Sequence, residues 1–149
     1  MSIRNTILKA LKSDLTKIQT SRDYNSDPVE IRRGIHLWED FTMKPAISFW
    51  CYNDEKLNEF GGTGIRYLNV YMYGYTDTDG LEDVDNIHNL ADDVEDFLHS
   101  STDWTYKKDT EVGDMVIYEG GVQDPASMFQ LEIRIKYDYT CWKFSVELK

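Results

Sequence analysis

The acidic residues that follow a tyrosine-rich stretch come closest, in type and spacing, to a metal-binding loop. Five carboxylates lie within nine positions there: Asp77, Asp79, Glu82, Asp83 and Asp85. Ca²⁺ binds carboxylate oxygens. An EF-hand also needs a fixed order of ligands and a glutamate at its twelfth position, and this loop lacks both. Acids before and within the first turn of a helix also interact favourably with the helix N-terminus. The spacing therefore predicts the start of a helix and no metal site.

A glycine-rich segment, Gly61-Gly62-Thr63-Gly64, is the second candidate for a ligand-binding site, namely a phosphate-binding loop. It leads into an extended stretch instead of a helix, and no Lys-Ser/Thr pair follows it, so a phosphate loop is not indicated. His36, His88 and His99 are widely spaced, and no cysteine or histidine pair has the spacing of a zinc site. No nucleophile elbow is present, although a Ser-His-Asp triad needs no adjacency in sequence. We therefore predict no catalytic residue, metal or cofactor, with a hydrolase of unknown type as the alternative to a non-enzyme.

The charge of the chain is strongly negative and unevenly distributed. The formal net charge is −11, but residues 1–33 hold seven bases and four acids, whereas residues 76–98 hold nine acids and no base. Binding to nucleic acid by phosphate neutralisation needs clustered Lys and Arg, so such an acidic chain should not bind DNA that way. It would still tolerate DNA that passes close by.

Length and composition indicate one domain spanning residues 1–149. A chain of 149 residues with 41% hydrophobic residues can bury most of its apolar surface. No run approaches the ~18–20 apolar residues of a membrane span, and bases interrupt the N-terminal segment where a secretory signal would be apolar. We expect a cytosolic protein without membrane contact. Free thiols are then favoured over a disulfide for Cys51 and Cys141.

Apolar residues at intervals of three and four predict two helices. The first runs from about Ser2, a plausible N-cap, to Ile18, and the second from about Leu81 to Leu98 with an almost wholly acidic exposed face. Residues 99–114 give only weak structural signals.

Extended apolar patterns predict the strands. Residues 29–32, 65–75 and those from 128 onward alternate, and the alternation continues through residues 142–148, whereas residues 46–51 form a short apolar run and residues 115–118 a short strand. Residues 52–64 are expected to form a polar connection. This order predicts a two-layer α+β domain, in which a four- or five-stranded, mostly antiparallel sheet has both helices on one face.

The strand at residues 65–75 has two unlike faces. Leu68, Val70 and Met72 would face the core, and the opposite face would hold Asn69 with four tyrosines: Tyr67, Tyr71, Tyr73 and Tyr75. A row of amphipathic rings suits a protein interface. Cross-strand aromatic pairs on an uncovered sheet face would explain the same pattern.

The order of motifs after the first helix resembles that of a known family. YNSDPVEIRRG is followed by LWEDF and KPAISFW and then by the tyrosine-rich strand. Over roughly residues 1–140 this order is similar to the tail terminator (tail completion) proteins of long-tailed bacteriophages and to their relatives among neck and minor tail proteins. Members of that family are small α+β domains that form hexameric rings, cap the finished tail tube and dock it to the head.

The resemblance implies a virion structural protein that is assembled in the host cytoplasm and lies at the head-proximal end of the tail. Its implied partners are copies of itself in a hexameric ring, the tail tube protein and a head completion or neck protein. DNA would pass through the ring without specific binding. The alternatives are another neck or minor tail protein of similar fold and an acidic inhibitor that mimics DNA, against which the basic first 33 residues count.

The residues that we expect at subunit or partner contacts lie on the first strand, in the loop after it and on the tyrosine face: Arg32, Arg33, Trp38, Tyr67, Tyr71 and Tyr73. Strand alternation turns only one of the two arginines toward the covered face. At least one of them should therefore reach a carboxylate or a carbonyl of the loop at residues 34–43, with Trp38 as the apolar anchor of that loop.

Two acidic regions receive separate roles. Asp77, Asp79, Glu82, Asp83 and Asp85 are candidates for the lumen of the ring, where negative charge would keep DNA from adhering. Ring closure also needs a contact between unlike surfaces of neighbours. We expect bases near the N-terminus to approach later acids of the second helix there: Arg4, Lys9, Lys12 and Lys17 against Asp92, Asp93, Glu95 and Asp96.

Overall fold

The first helix, α1, spans Ile3–Leu15 in a computed structural model that describes residues 2–77, 85–99, 102–120 and 125–140. Ser2 is its N-cap, because the Ser2 side chain accepts a hydrogen bond from the backbone N–H of Asn5 at 3.4 Å. The helix ends at Leu15, three residues before the predicted end, and Thr16 closes it by donating its hydroxyl to the carbonyl of Ser13.

The sheet has five strands in the order β1-β2-β3-β5-β4. Their bounds are Glu30–Arg33 (β1), Ala46–Phe60 (β2), Thr63–Asp77 (β3), Thr110–Tyr118 (β4) and Ala126–Thr140 (β5). β1 pairs with β2 in parallel, and the other three pairings are antiparallel. The second helix, α2, spans Asp85–His99 between β3 and β4. The predicted α+β fold with a mostly antiparallel sheet is confirmed.

Both helices bury their apolar residues in one core against the same face of the sheet. The helices supply Ile7, Leu8, Leu11 and Leu15 from α1 and Ile87, Leu90, Ala91, Val94, Phe97 and Leu98 from α2. The predicted inward residues of β3 and β5 lie in this core, including Leu68, Val70 and Met72. The predicted start of α2, at Leu81, lies outside the described residues, and so does the alternating segment 142–148.

Gly74 of β3 lies opposite Phe129 of β5 in the core. A Cβ atom on Gly74 would stand 1.8 Å from the Phe129 ring, so this position has no room for a side chain. The absent side chain makes space for the phenyl ring of Phe129.

The prediction of a polar connection at residues 52–64 is wrong. β2 continues to Phe60, and a two-residue turn at Gly61 and Gly62 leads into β3. Both glycines have positive φ, as the tightest hairpins require. The second half of β2 lacks the apolar alternation that indicates strands, because side chains such as Asp54 and Glu55 pair with arginines on β3 and β5 instead of entering the core.

The first half of β4 was not predicted, because residues 99–114 give only weak structural signals. The strand begins at Thr110 instead of the predicted Met115. Trp104 is buried before it, packs against Phe97 and donates its indole N–H to the hydroxyl of Thr110 at 2.8 Å. A register shift between Val112 and Met115 interrupts the alternation. No helix among the described residues is long and apolar enough to cross a membrane.

Candidate protein-protein interface

Four partly exposed aromatic rings lie together on the face of the sheet that the helices leave uncovered, and we call them the aromatic platform: Trp50, Tyr52, Tyr71 and Tyr73. They come from β2 and β3, whose opposite faces enter the core through Phe49, Val70 and Met72. Tyr52 lies two residues after Trp50, so strand alternation places both rings on this face, and β2 bulges between Cys51 and Asn53 next to Tyr52.

The platform is organised by ring stacking. Trp50 lies on Tyr73 with ring centroids 4.6 Å apart and planes 8° apart, and Tyr52 lies on Tyr71 at 4.2 Å and 24°. Trp50 also contacts Tyr71 at 6.2 Å. Stacked cross-strand pairs hold the rings in fixed positions. A partner therefore meets large apolar side chains that lose little conformational entropy on binding.

The hydroxyl groups of Tyr52 and Tyr73 stay protonated at neutral pH. Burial raises the pKa of the Tyr73 hydroxyl, and burial together with the hydrogen bond to Glu132 raises that of Tyr52. The polar tips of these two rings are therefore hydrogen-bond donors in the physiological range.

The loop between β1 and β2, residues 35–43, covers one end of this sheet face. Phe41 packs there with Ala46 and Tyr75 in a small second core, and Trp38 lies at its edge. Tyr75, predicted on the same row as the other tyrosines, is consequently only 3% exposed. It donates its hydroxyl to the carbonyl of His36 at 2.7 Å, which ties the loop to β3.

Trp38 attaches the 35–43 loop to the sheet. Its indole N–H donates to the carbonyl of Thr76 at 3.1 Å, and Nζ of Lys44 lies 3.9 Å from the ring centroid. Trp38 therefore makes the contacts expected of the residue that anchors this loop. Its expected place at a subunit contact stays a prediction.

The two adjacent arginines of β1 point to opposite faces, as strand alternation predicts. Arg32 lies on the uncovered face, where it donates to the carbonyl of Asp40 at 3.3 Å and pairs with Glu30 at 3.2 Å. Arg33 lies on the helix side and donates to the side-chain oxygen of Asn5 at 3.0 Å. Arg32 thus reaches both a loop carbonyl and a carboxylate, while Arg33 links β1 to α1.

Tyr67 is separated from the other tyrosines by its own partner. The guanidinium of Arg134 lies 4.1 Å from the Tyr67 ring centroid and pairs with Glu55 at 2.7 Å and with Glu111 at 3.4 Å. This ion-pair cluster borders the platform on its side away from the 35–43 loop. Of the three tyrosines proposed for contacts, Tyr71 and Tyr73 belong to the platform and Tyr67 belongs to the Arg134 cluster.

Exposed apolar side chains extend the surface at both edges of the sheet. The 35–43 loop exposes Ile35, Leu37 and Met43, and the edge strand β4 exposes Val116, Ile117 and Tyr118. This surface could not be read from the sequence: the loop residues stand singly among polar ones, and the contiguous run at residues 115–118 predicts a short strand but not which of its side chains are exposed.

The acids proposed for a ring lumen are described only in part. Asp77 is exposed at the end of β3, with Nζ of Lys44 3.7 Å from its carboxylate, and Asp85 is exposed in the first turn of α2. Asp79, Glu82 and Asp83 lie outside the described residues. Their place relative to a bore stays a prediction.

Within the described ranges, no group of three or more His, Cys, Asp or Glu side chains is arranged to hold a metal ion. Two histidines have specific contacts: His36 packs edge-on against Phe41, and His88 lies 2.6 Å from a carboxylate oxygen of Glu119. Burial raises the pKa of the half-buried Cys51 thiol, which forms no disulfide with a described residue. No protein-family model and no curated protein matches the sequence.

Proposed function

We propose that the chain is a virion assembly protein of long-tailed phages that ends the growing tail tube and joins it to the head. The aromatic platform is the observation that supports this proposal best. Tyr and Trp are enriched at protein interfaces and contribute disproportionately to their binding free energy, because a rigid amphipathic ring buries much area at low entropic cost. A sheet face that presents four such rings is suited to a protein partner.

The distribution of the exposed apolar residues fits a protein with several contacts. A tube-capping protein needs one surface for the tube, one for the neck and two unlike surfaces for its neighbours in a ring. The platform, the 35–43 loop and the β4 edge are three separate surfaces on one sheet. Each of them exposes apolar side chains that are suited to protein–protein contact.

The assembly that we propose is a hexameric ring at the head-proximal end of the tail, formed in the host cytoplasm. The tail tube protein and a head completion or neck protein are its partners. DNA passes through the ring without specific binding, since the net charge of −11 opposes adhesion of phosphate. A neck or minor tail protein of similar fold would use the same surfaces and is the second candidate.

Tail length tests the proposal. In a phage that lacks the chain, we expect overlong tails without heads, and the wild-type protein supplied in trans should restore normal joined tails. The double variant Trp50→Ala/Tyr71→Ala should fail to restore them, because it removes half of the platform. Phe60→Ala, which removes a ring that is 92% exposed at the tip of the β2–β3 hairpin, is the matched control and should restore them.

Electron microscopy of negatively stained tails gives the readout, and circular dichroism of the purified variants verifies that they fold. Normal joined tails with the folded double variant would contradict the proposed use of the platform. Tails of normal length that lack heads in the phage without the chain would instead assign it to the neck.

A further inference from the structure

An acid-lined cleft of about 410 Å³ lies where the segment after α1 meets the second half of α2. Asp23 and Asn25 line it from the first segment, and α2 contributes the remaining residues: Asp92, Asp93, Glu95, Asp96 and His99. Five carboxylates thus share one concavity, and no lysine or arginine among the described residues lines it. The concentration of negative charge favours a cationic occupant.

Asp93 is the buried member of this set. Its side chain is 2% exposed, and one carboxylate oxygen, Oδ1, accepts the backbone N–H of Asn25 at 2.8 Å. The other oxygen, Oδ2, has no hydrogen-bond partner among the described residues. A buried carboxylate oxygen without a donor is energetically costly, so a cation held in the cleft beside Asp93 would offset part of its desolvation.

The bases near the N-terminus differ in whether they are already paired. Arg4 lies 3.6 Å from the carboxylate of Asp54, and Lys17 lies 3.1 Å from that of Asp14. Lys9 and Lys12 are exposed on α1 and have no ion pair within the described part of the chain. They are three residues apart, which places them side by side on one helix face. The predicted set of four contact bases is therefore reduced to these two.

We propose that the cleft receives Lys9 or Lys12 from α1 of a second copy of this chain. The complementary charges support this occupant, because the unpaired cations and the unpaired buried carboxylate lie on helices of the same layer. A contact between unlike surfaces of identical chains is what repeats around a ring. The inference rests on the proposed function only in that self-association is part of it.

Charge reversal and its compensation test the contact. Lys9→Glu/Lys12→Glu and Asp92→Lys/Asp96→Lys should each weaken self-association on the order of tenfold or more, because like charges then face each other. The chain with all four substitutions should associate as the wild type does, since the attraction is restored with opposite signs. Asp109→Lys/Asp138→Lys is the matched control, because it changes the charge equally at exposed acids outside the cleft and outside the other proposed contact surfaces.

Sedimentation velocity of the full chain at about 0.02 M and about 0.5 M salt gives the readout, and the wild type should associate more weakly at high salt. Asp93→Asn keeps the Oδ1 acceptor for Asn25 and removes the buried charge, so it should weaken association without unfolding the chain. Wild type that does not associate at low salt would overturn the inference. So would association that is unchanged in both charge-reversed variants, or a quadruple variant that stays weak.

A titration of the wild type with Ca²⁺ and Mg²⁺, followed by calorimetry, addresses the other class of cation. No saturable binding is expected. Saturable binding that Asp93→Asn abolishes would overturn the inference by assigning the cleft to a metal ion. Tail length reports the proposed function independently, so failure of this contact and failure of that function can be told apart.

Discussion

Gly74 and Phe129 face each other in the core with no room for a further methyl group. Gly74→Ala would place a methyl group 1.8 Å from the Phe129 ring, so the strands or the ring must shift. We expect a loss of about 1–3 kcal/mol in the free energy of unfolding, as is typical of overpacked cores. Urea denaturation measures the loss. In a Phe129→Ala background the same glycine substitution should cost less, and an equal cost in both backgrounds would refute the pairing.

The hydroxyl of Tyr137 makes the stability of the fold sensitive to alkaline pH. It donates to the Asp54 carboxylate at 2.8 Å, and burial together with this hydrogen bond raises its pKa from 10.0 to about 12. Because folding raises this pKa, the neutral tyrosine is favoured in the folded state. Its contribution is fully present below pH 10 and is lost as the pH rises toward 12, up to about 3 kcal/mol.

Urea unfolding from pH 8 to pH 12 tests this dependence. The wild type should lose stability across the upper part of the range, and Tyr137→Phe should lose less, because the phenylalanine ring has no proton to release. Parallel pH profiles for the two proteins would show that Tyr137 does not contribute.

At the residue scale, sequence reasoning located single side chains better than their partners. The opposite directions of Arg32 and Arg33 follow from alternation alone, and Trp38 was expected to anchor its loop because a large ring in an acidic loop needs apolar cover. The link between Arg33 and Asn5 could not be predicted, since it depends on where α1 lies on the sheet. The stacking of Tyr52 on Tyr71 depends on the register between β2 and β3, which the sequence does not specify.

At the scale of elements, helices and apolar strands were predictable because their periodicity is imposed by a single buried face. The second half of β2 was not, because its side chains form ion pairs with Arg66 on β3 and Arg134 on β5 in place of an alternation of buried apolar residues. β4 was predicted too short for a related reason, since its register shift breaks the alternation of apolar residues.

The 35–43 loop is the element whose attachment depends most on one side chain. Trp38→Ala removes the hydrogen bond to Thr76 and the ring beneath Lys44, and we expect a loss of about 1–3 kcal/mol and faster hydrogen exchange in the loop. Leu37→Ala is the matched control, because Leu37 is exposed, and it should change stability by less than about 0.5 kcal/mol. Exchange in the loop that is equal in the two variants would contradict the assigned role of Trp38.

At the scale of the whole molecule, the proposed ring assigns Asp77 and Asp85 to its lumen. Asp77→Lys/Asp85→Lys places bases where a negative lumen is proposed, so DNA in transit should be held by its phosphates. We expect tails of normal length that deliver less DNA, measured as potassium efflux or DNA ejection on contact with host cells. Normal infectivity, or a ring structure with both acids on its outer wall, would eliminate the lumen assignment.

The proposed function was inferred from the order of motifs in the sequence. The aromatic platform could not be predicted that way, because it depends on how β2 pairs with β3. Tyr71 and Tyr73 were chosen because they alternate on one strand. Trp50 and Tyr52 complete the surface from the neighbouring strand, and their register could not be read from the sequence. The acid-lined cleft could not be predicted from the sequence either, because Asp23 is far in sequence from the α2 acids with which it lines the cleft.

The mass of the assembled protein tests the central claim, a closed ring of identical chains that ends a tube. Mass should be measured at increasing concentration, with the chain alone and bound to tubes of the tail tube protein from the same phage. We expect one closed species with a mass of about 105 kDa, six copies of the 17.5 kDa chain, on the tubes or free in solution. A chain that stays at the mass of one copy in both settings, or that polymerises without limit, would contradict it.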